Sequence, residues 1–367
     1  MRKSSLTIEK LKSLSFRKIQ KKVSEIANEF NKDHEKVITY SKNFTISLSN
    51  YCQNQCGYCF YNHRIPKDQD DGNIILISRA NLDSLIISAK KFDCKEALIL
   101  SGEAPDSFQI VRDELKARGF ASFFQFLVTI CNKLIDLNFL PHTNVGFISF
   151  DHMKELKNIN ASMGLMLEST CEKLSVKGGV HEFSPGKTPE KRINFIENAG
   201  KLKIPFTTGL LLGIGEDETD RIEDLFLIYE LYKKYGHIQE IILQNFIEKK
   251  NIQYHPIKAI SIEEILRIIG IAKIIMGNEI EIQVPPNLLI GYEKEAITMG
   301  ITDFGGISPI TLDYINPTHP WPQIDYLTKI CKKEGYGLKE RLPIYEKYIR
   351  KEGFCSKKIR DVINKIM

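Results

Sequence analysis

Short apolar runs of strand length alternate along most of the chain with longer segments of helical periodicity. The apolar runs predict eight strands, at residues 44–49, 97–101, 142–148, 161–167, 206–213, 240–245, 280–284 and 296–301. Helical spacing predicts helices between them, at residues 78–92, 107–138, 151–157, 188–202, 218–235 and 261–276. Strands that alternate with helices pair in parallel, so this pattern predicts an α/β fold, a closed or nearly closed (β/α) barrel. A doubly wound open sheet is the alternative that periodicity does not exclude.

The two ends of the chain differ from this alternating pattern. Residues 7–30 carry apolar positions at helical spacing among Lys and Glu, which predicts an N-terminal helical extension over residues 1–37. The last predicted helix before the tail, at 261–276, opens with Ser261 and Glu264, a capping box. No strand is predicted from residue 311 on. We therefore expect three parts, the extension 1–37, the barrel 38–310, and a C-terminal cap with a basic helical tail, 311–367.

The composition is that of an ordinary water-soluble globular protein. Charged residues make up 26% of the chain and hydrophobic residues 43%, with no apolar run of the about 18 residues that a membrane span requires. Charged residues interrupt the segment after the basic N-terminus, so no signal peptide is predicted and we expect a cytoplasmic protein. A formal net charge of +5 gives no reason to expect nucleic-acid binding.

Three of the eight cysteines form the strongest chemical signal in the chain. Cys52, Cys56 and Cys59 follow the first predicted strand, separated by three and by two residues, and thiols at this spacing can converge on one metal centre. Structural zinc requires a fourth ligand, which His63 could supply. An iron–sulfur cube held by three cysteines would leave one iron open to a small molecule. The remaining cysteines are scattered and are predicted to be core residues (Cys94, Cys131, Cys171, Cys331 and Cys355).

The predicted strand ends supply the other candidate site residues, because the active site of a parallel barrel is built from the loops at those ends. They carry glycines, carboxylates and amides, namely Ser101, Gly102, Glu103, Asn144, Glu168, Gly213, Gly215, Gln244, Asn245 and Asn287. Such groups could hold an amine, a ribose and a purine at an open iron, which favours the cluster over zinc. His142 is interpreted as a satisfied strand-end histidine and Arg192 as part of a solvated helix.

The Cx3Cx2C motif, with Tyr58 before its last cysteine, resembles the signature of the radical S-adenosylmethionine (SAM) superfamily. The resemblance implies that Cys52, Cys56 and Cys59 are the catalytic cluster ligands of a [4Fe-4S] centre whose fourth iron is chelated by SAM. Reduction then splits SAM into methionine and a 5'-deoxyadenosyl radical. The implied SAM contacts are Tyr58 near the adenine, Ser101-Gly102-Glu103 at the methionine amine, Glu168 at the ribose, and Gly213 to Glu216, with Gly215, along the adenine.

Further segments resemble one family of that superfamily, 7,8-didemethyl-8-hydroxy-5-deazariboflavin synthase of coenzyme F420 biosynthesis. These segments are Leu140–Gly146, Asn160–Glu168, Ser184–Pro189 and Gly305–Pro309. The resemblance implies the cyclising subunit, which acts on 5-amino-5-(4-hydroxybenzyl)-6-(D-ribitylimino)-5,6-dihydrouracil and releases ammonium. The candidate contacts to that substrate are Asn144, Gln244, Asn245 and Asn287.

The single three-cysteine motif implies that another chain performs the other half of the pathway. The expected partners are a tyrosine-coupling radical SAM subunit, which makes the substrate, and an electron donor. The alternatives are that this chain is the tyrosine-coupling subunit, that it modifies a different heterocycle, or that it is a zinc-stabilised binding module.

Overall fold

The part of the chain that the structure describes contains nine parallel strands and thirteen α-helices. That part comprises residues 6–30, 32, 34–67 and 73–367 of a computed structural model. The strands are β1 (Val37–Ser47), β2 (Glu96–Leu100), β3 (Leu140–Asn144), β4 (Ser162–Gly164), β5 (Phe206–Leu212), β6 (Ile238–Asn245), β7 (Glu281–Gln283), β8 (Asp303–Ile307) and β9 (Gly337–Arg341). The helices are α1 (Ile8–Lys12), α2 (Phe16–Phe30), α3 (Arg79–Lys91), α4 (Gln109–Ala117), α5 (Phe123–Asp136), α6 (Phe150–Leu156), α7 (Pro189–Lys201), α8 (Glu218–Tyr235), α9 (Ile262–Met276), α10 (Glu293–Thr298), α11 (Ile324–Lys333), α12 (Glu346–Arg350) and α13 (Lys357–Ile366). Within those described ranges, none of the helices is long and apolar enough to cross a membrane.

Pairing of β1 with neighbours on both sides closes the sheet into a barrel. The strands follow the order β2-β3-β4-β5-β6-β7-β8-β1, and β1 also pairs with β2, which completes the ring. Residues 43–47 of β1 lie beside β2, and residues 39–42 lie beside β8. β5 is buried at every position, as expected of a barrel strand covered by helices. The predicted (β/α) barrel is confirmed in its closed form, and the open sheet is excluded.

The strand that completes the ring lies later in the sequence than predicted. The prediction of a strand at 296–301 is wrong, because residues 293–298 form α10 and the eighth strand is β8. A short apolar run fits a buried helix face as well as a strand, and periodicity does not separate the two. Gly300, at φ +94°, lies between α10 and β8 in a conformation that few residues other than glycine adopt.

A ninth strand follows the barrel, so the prediction that strands stop at residue 311 is wrong. β9 pairs in parallel with residues 37–41 of β1. Its sequence, Gly-Leu-Lys-Glu-Arg, is exposed or half-buried throughout and lacks the apolar alternation that marks a strand. The proposed boundaries at residues 37 and 310 stay predictions.

The N-terminal helices pack on the outside of the barrel. Ile19 and Val23 of α2 are fully buried against α9. A Cβ at Gly270 of α9 would lie 2.4 Å from a methyl carbon of Ile19, so glycine permits this close approach. Arg267 of α9 donates a hydrogen bond of 2.5 Å to the carbonyl oxygen of Leu14. These contacts hold the extension on the helical layer of the barrel.

β9 also brings Arg341 to the N-terminal end of the barrel. Its guanidinium forms ion pairs with Asp303 at 2.6 Å and with Glu240 at 2.7 Å. The hydroxyl of Tyr345 donates to the same Glu240 carboxylate at 2.9 Å. The side chains of Arg341, Glu240 and Asp303 are each at most 10% exposed. A buried ionic network therefore links the C-terminal segment to β6 and β8.

We expect Arg341→Met to destabilise the protein strongly, since it leaves Asp303 and Glu240 without their cation. Removing one partner of a buried ion pair costs about 3–5 kcal/mol, and urea denaturation should show a loss of that size in the free energy of unfolding. Arg350→Met is the control, because Arg350 pairs with Glu346 at the surface, where its side chain is 78% exposed. An exposed helix pair contributes only about 0.3–0.5 kcal/mol. Equal losses in the two variants would contradict this account of Arg341.

Candidate functional site

The loop that carries the three cysteines begins directly after β1 and is fixed by backbone hydrogen bonds to two distant segments. The N–H of Gln55 donates to the carbonyl oxygen of Phe183 at 3.0 Å, and that of Gly57 donates to Val180 at 2.8 Å. The N–H of Tyr254 donates to the carbonyl oxygen of Gly57 at 2.9 Å. The loops after β4 and β6 therefore hold the cysteine loop in place.

Cys52, Cys56 and Cys59 all line one cavity of about 1250 Å³ at the C-terminal ends of the strands. We call this space the thiol cavity. The backbone N–H of Glu103 donates to Sγ of Cys52 at 3.2 Å, and the hydroxyl of Ser184 donates to Sγ of Cys56 at 3.3 Å. Hydrogen bonds to ligand sulfurs are typical of iron–sulfur sites, where they tune the reduction potential.

The chemistry of these thiols fits a polynuclear metal centre. Burial raises the pKa of Cys52 to about 12 and also raises the pKa of Cys59, so both thiols require a bound cation to lose their protons at neutral pH. In the described part of the chain, no three His, Cys, Asp or Glu side chains come close enough together to hold a single ion. Each cysteine of an iron–sulfur cluster binds a different iron, so separated thiols around one cavity fit a cluster.

His63 lies away from the thiols, which weakens the zinc interpretation. Its ring stacks on Tyr51 with the ring centroids 4.1 Å apart, and its edge meets Phe108 at 4.9 Å. It is not among the residues that line the thiol cavity. The structure therefore does not assemble the Cys3His set that a closed zinc site needs.

Glu168 lines the thiol cavity from a strained position after β4. Its φ of +67° lies in the left-handed region, which residues other than glycine rarely adopt. Backbone hydrogen bonds to β5 hold it there, from its N–H to the oxygen of Gly209 at 3.0 Å and from Leu211 to its carbonyl at 3.1 Å. Strain of this kind persists only where the surrounding structure enforces it, and it is frequent at functional sites.

The carboxylate of Glu168 forms a buried ion pair with Lys187, whose side chain is 11% exposed. Burial raises the pKa of Glu168, but the positive charges of Lys187 and Arg192 outweigh burial and bring the pKa below its ordinary value of 4.5. Glu168 is therefore ionised at neutral pH. An ionised carboxylate only accepts hydrogen bonds, so this group suits a ligand that presents hydroxyls.

Arg192 is buried, which corrects its assignment to a solvated helix. It lies on α7 with 3% of its surface exposed and lines the thiol cavity. Its guanidinium donates to the carbonyl oxygens of Met166 at 2.7 Å and Gly186 at 3.0 Å. It also lies 4.0 Å from the carboxylate of Glu103, so the cavity carries two buried carboxylates with a cation beside each.

Glu103 lines the same cavity, but protein groups already hold its carboxylate. The side-chain amide of Gln53 donates to it at 2.9 Å, and the N–H of Phe147 at 3.2 Å. A Cβ at Gly186 would lie 1.7 Å from one of its oxygens, so only glycine fits there. The prediction that Glu103 receives the methionine amine of SAM remains untested, and any such contact would add to these bonds.

Three other predicted SAM contacts also line the thiol cavity, namely Tyr58, Ser101 and Gly102. A Cβ at Gly102 would lie 2.1 Å from the carbonyl oxygen of Tyr51, so the glycine lets the loops after β1 and β2 touch. The hydroxyl of Tyr58 lies 3.0 Å from Nε2 of His181 and is buried. The ring of Tyr58 thus forms part of a fixed wall.

Gly213 and Gly215 are not brought into the thiol cavity. They line a different cavity of about 810 Å³, and neither is among the residues that line the thiol cavity. The carboxylate of Glu216 accepts hydrogen bonds from the N–H groups of Gly213 at 2.6 Å and Ile214 at 2.8 Å, and it pairs with Arg221 at 2.8 Å. This loop forms a capped turn into α8, and its Ile214 packs in the apolar cluster that contains Tyr58 and Cys56.

Three of the four amides predicted to contact substrate reach the thiol cavity. Asn144, Gln244 and Asn245 line it, and Oδ1 of Asn245 has no hydrogen-bond partner within the described residues. Asn287 lies elsewhere, because its Nδ2 donates to Asp313 at 3.0 Å and to a backbone carbonyl at 3.1 Å. Asn287 therefore anchors the loop after β8 and lines neither the thiol cavity nor the space below it, and its contact to substrate stays a prediction.

A second cavity of about 1000 Å³ adjoins the thiol cavity inside the barrel. Both cavities are lined by Asn144, Met166 and Gln244, and the second extends to the first residue of β2, toward the N-terminal ends of the strands. We call this space the lower lumen. Its walls are largely apolar, and polar side chains from six strands lie among them, namely Asn43, Thr45, Glu96, His142, Thr207, Glu240 and Gln283.

The titratable groups of the lower lumen are perturbed by burial. Burial raises the pKa of Glu96 to about 7 and lowers that of His142 to about 3. His142 is neutral at physiological pH, and its Nδ1 lies 2.7 Å from the hydroxyl of Ser162. The ring is therefore hydrogen-bonded, as the interpretation of a satisfied histidine requires, but His142 lies in the middle of β3 and not at its end.

Sequence reasoning missed the two cations of the thiol cavity. Lys187 falls within the segment 184–189, which resembles the deazariboflavin synthase family. That resemblance assigns no role to Lys187. Arg192 lies at helical spacing with Phe195, Ile196 and Ala199 on the buried face of α7, so the periodicity marks its position, and only its charge suggested a solvated one. Both cations enter the site because α7 begins beside the cysteine loop.

Comparison with known families and proteins agrees with this geometry. The Radical SAM superfamily model matches residues 46–228, which include the three cysteines and Glu168. A 7,8-didemethyl-8-hydroxy-5-deazariboflavin synthase from Methanococcus maripaludis (strain C6) is 43% identical over 97% of this chain and 99% of its own length. The protein of the same name from Methanocaldococcus jannaschii is 42% identical over 97% of this chain and 95% of its own.

Solved structures of low sequence identity share the fold. The FeFe-hydrogenase maturase HydG from Carboxydothermus hydrogenoformans superposes with a TM-score of 0.72 at 16% identity, over 98% of this chain and 81% of that one. Methylornithine synthase superposes with a TM-score of 0.69 at 15% identity, over 91% and 93%. With curated relatives above 40% identity along nearly its whole length, the chain belongs to the 7,8-didemethyl-8-hydroxy-5-deazariboflavin synthase family of radical SAM enzymes.

Proposed function

We propose that this chain converts 5-amino-5-(4-hydroxybenzyl)-6-(D-ribitylimino)-5,6-dihydrouracil to 7,8-didemethyl-8-hydroxy-5-deazariboflavin, called the deazaflavin below. The reaction belongs to coenzyme F420 biosynthesis and releases ammonium, 5'-deoxyadenosine and methionine, so it is a carbon–nitrogen lyase reaction. The observation that carries the proposal is that the lower lumen, with polar side chains from six strands, adjoins the thiol cavity and shares Asn144, Met166 and Gln244 with it. The two adjoining cavities can take a cluster, SAM and a large substrate that carries many polar groups. The names of the relatives support the identity of the product.

Cys52, Cys56 and Cys59 would hold a [4Fe-4S] cluster and leave its fourth iron open to SAM. When bound, the cluster and SAM supply the one-electron chemistry that starts a radical reaction. The N–H of Glu103 and the hydroxyl of Ser184 donate to two of the thiol sulfurs and stabilise negative charge there. These donors come from different strand-end loops, so closure of the barrel sets their positions.

Lys187 orients the carboxylate that would bind SAM. The ion pair fixes Glu168 in its ionised form, ready to accept hydrogen bonds from ribose hydroxyls. Beside it, Val180, Leu211 and Ile214 form a buried apolar wall with Tyr58. An apolar wall next to the reacting groups excludes water, which protects a radical intermediate from side reactions.

We also propose that the substrate comes from a separate tyrosine-coupling radical SAM subunit, and that an electron donor reduces the cluster. The chain has a single Cx3Cx2C motif, and one such motif ligates one cluster. Coupling and cyclisation are two radical reactions, so a chain with one cluster site would perform one of them.

Replacement of any one cysteine of the motif should abolish cluster assembly. We expect Cys52→Ala, Cys56→Ala and Cys59→Ala to lose iron after anaerobic reconstitution and to form no 5'-deoxyadenosine, because the cluster then lacks a ligand. Iron analysis and chromatography of the products measure both. Cys331→Ala is the control, since Cys331 is fully buried in α11 and does not line the thiol cavity. If all four variants behave alike, the assignment of the three thiols is wrong.

Glu168→Gln should weaken SAM binding while the cluster still assembles. A hydrogen bond to a charged group contributes about 1.5–3 kcal/mol, so we expect the dissociation constant for SAM to rise about tenfold or more. Equilibrium dialysis with labelled SAM measures it, with iron content as the check on assembly. Glu293→Gln makes the same change in a carboxyl that is 2% exposed and outside both cavities, and should not affect binding. An unchanged SAM affinity in Glu168→Gln would remove Glu168 from the SAM site.

Turnover tests the proposed function itself. We expect the reconstituted protein, given SAM, a reductant and the product of the tyrosine-coupling subunit, to form the fluorescent deazaflavin and ammonium. Consumption of tyrosine in place of that substrate would identify the chain as the coupling subunit. Formation of 5'-deoxyadenosine without any deazaflavin would show that it acts on a different heterocycle.

A further inference from the structure

The lower lumen contains a buried acceptor that protein groups leave free. Asn43 of β1 is 2% exposed and lines this cavity, and its Oδ1 has no hydrogen-bond partner within the described ranges. Its amide nitrogen packs on Gly306, where a Cβ would lie 2.1 Å from Nδ2. The side chain is therefore held in place with its acceptor oxygen unused. An unpaired buried acceptor destabilises the protein, and a ligand with a donor group would recover that loss.

The floor of the lower lumen has more carboxyl groups than cations. Glu96 and Glu240 line the cavity, and Asp303 lies beside them at the start of β8. Arg341 pairs with Glu240 and Asp303, and Glu96 has no ion pair of its own in the described structure. Burial raises the pKa of Glu96 to about 7, although the charge of Arg341 opposes that rise. This end of the lumen is therefore neutral to negative, and a second anion there would be repelled.

A chain of hydroxyl groups matches the polar atoms of this cavity. A hydroxyl both donates and accepts, so it can pair with Oδ1 of Asn43 and with a carboxyl in either protonation state. Thr45, Thr207 and Gln283 add further polar atoms around the same space. The ribityl chain of the proposed substrate presents several hydroxyls to these groups, whereas its hydroxybenzyl ring presents one.

We propose that the ribityl chain of the substrate lies in the lower lumen, with its terminal hydroxyls against Asn43 and Glu96, and that Glu96 excludes a chain that ends in phosphate. This inference rests on the proposed function and assigns the part of the site that distinguishes substrates. The ring system then lies in the thiol cavity, because Asn144 and Gln244 line the junction of the two spaces. Asn43 and Glu96 are specificity-determining residues, remote from the thiols.

Fluorescence titration of the reconstituted protein with SAM tests this assignment. The two probes are the deazaflavin and the same deazaflavin with phosphate on its terminal ribityl hydroxyl. Like charges brought together in a binding site cost several kcal/mol, so we expect the phosphate ester to bind at least about tenfold more weakly. This comparison uses the unaltered protein and does not depend on the folding of any variant.

Variants of Glu96 and Asn43 show which residues discriminate between the two probes. Glu96→Gln removes the negative charge and should narrow the difference in affinity between the deazaflavin and its phosphate ester. Glu293→Gln, the matched change outside both cavities, should leave that difference in affinity unchanged. Asn43→Ala should weaken binding of the deazaflavin by about two- to tenfold, as expected for the loss of one hydrogen bond. SAM affinity, measured in the same samples, should stay constant, because neither residue lines the thiol cavity.

Equal affinity for the two probes would overturn the assignment of the ribityl chain and leave the proposed function intact. If the two affinities differ but Glu96→Gln does not change that difference, the assignment is also overturned, since the phosphate would then be excluded by another part of the site. If the protein binds neither probe and forms no deazaflavin in turnover, the proposed function fails together with this inference. The two failures are therefore distinguishable.

Discussion

Parallel pairing of β1 with both β2 and β8 brings the C-terminal ends of eight strands to one opening. The cysteine loop follows β1, Glu103 follows β2, Glu168 follows β4, and Gln244 lies near the end of β6. These residues are far apart in the sequence, and they share one cavity because the barrel is closed. Every contact of the site depends on that closure, including the backbone N–H that meets the sulfur of Cys52.

Charge divides the interior of the barrel into two regions. At the opening, Lys187 lies beside Glu168 and helps to keep it ionised, and Arg192 lies 4.0 Å from the carboxylate of Glu103. At the opposite end, carboxyl groups outnumber the single Arg341 that pairs with them. The opening therefore suits a charged cofactor, and the lower lumen suits a neutral ligand with many hydroxyls. Two adjoining cavities provide these two environments.

The sequence predicted the barrel, the cysteine motif and most of the strand ends because those features are local. The apolar runs mark buried strands, and Ser261 with Glu264 forms the predicted capping box. One error arose where tertiary contacts decide, because the polar strand β9 forms only where β1 offers an edge. The error at Arg192 arose from its charge, because its spacing to Phe195 and Ile196 places it on the buried face of α7. The SAM contact of Gly213, which the resemblance implies, stays a prediction; in the structure its loop turns toward α8 and lines a different cavity.

The central claim is that three thiols hold a cluster with one iron left for SAM. Electron paramagnetic resonance of the anaerobically reconstituted and reduced protein, recorded with and without SAM, tests it most directly. The account predicts about four irons per chain, as in a cube-type cluster, and a spectrum that changes when SAM is added. Tight stoichiometric zinc, with no spectroscopic response to SAM, would contradict it.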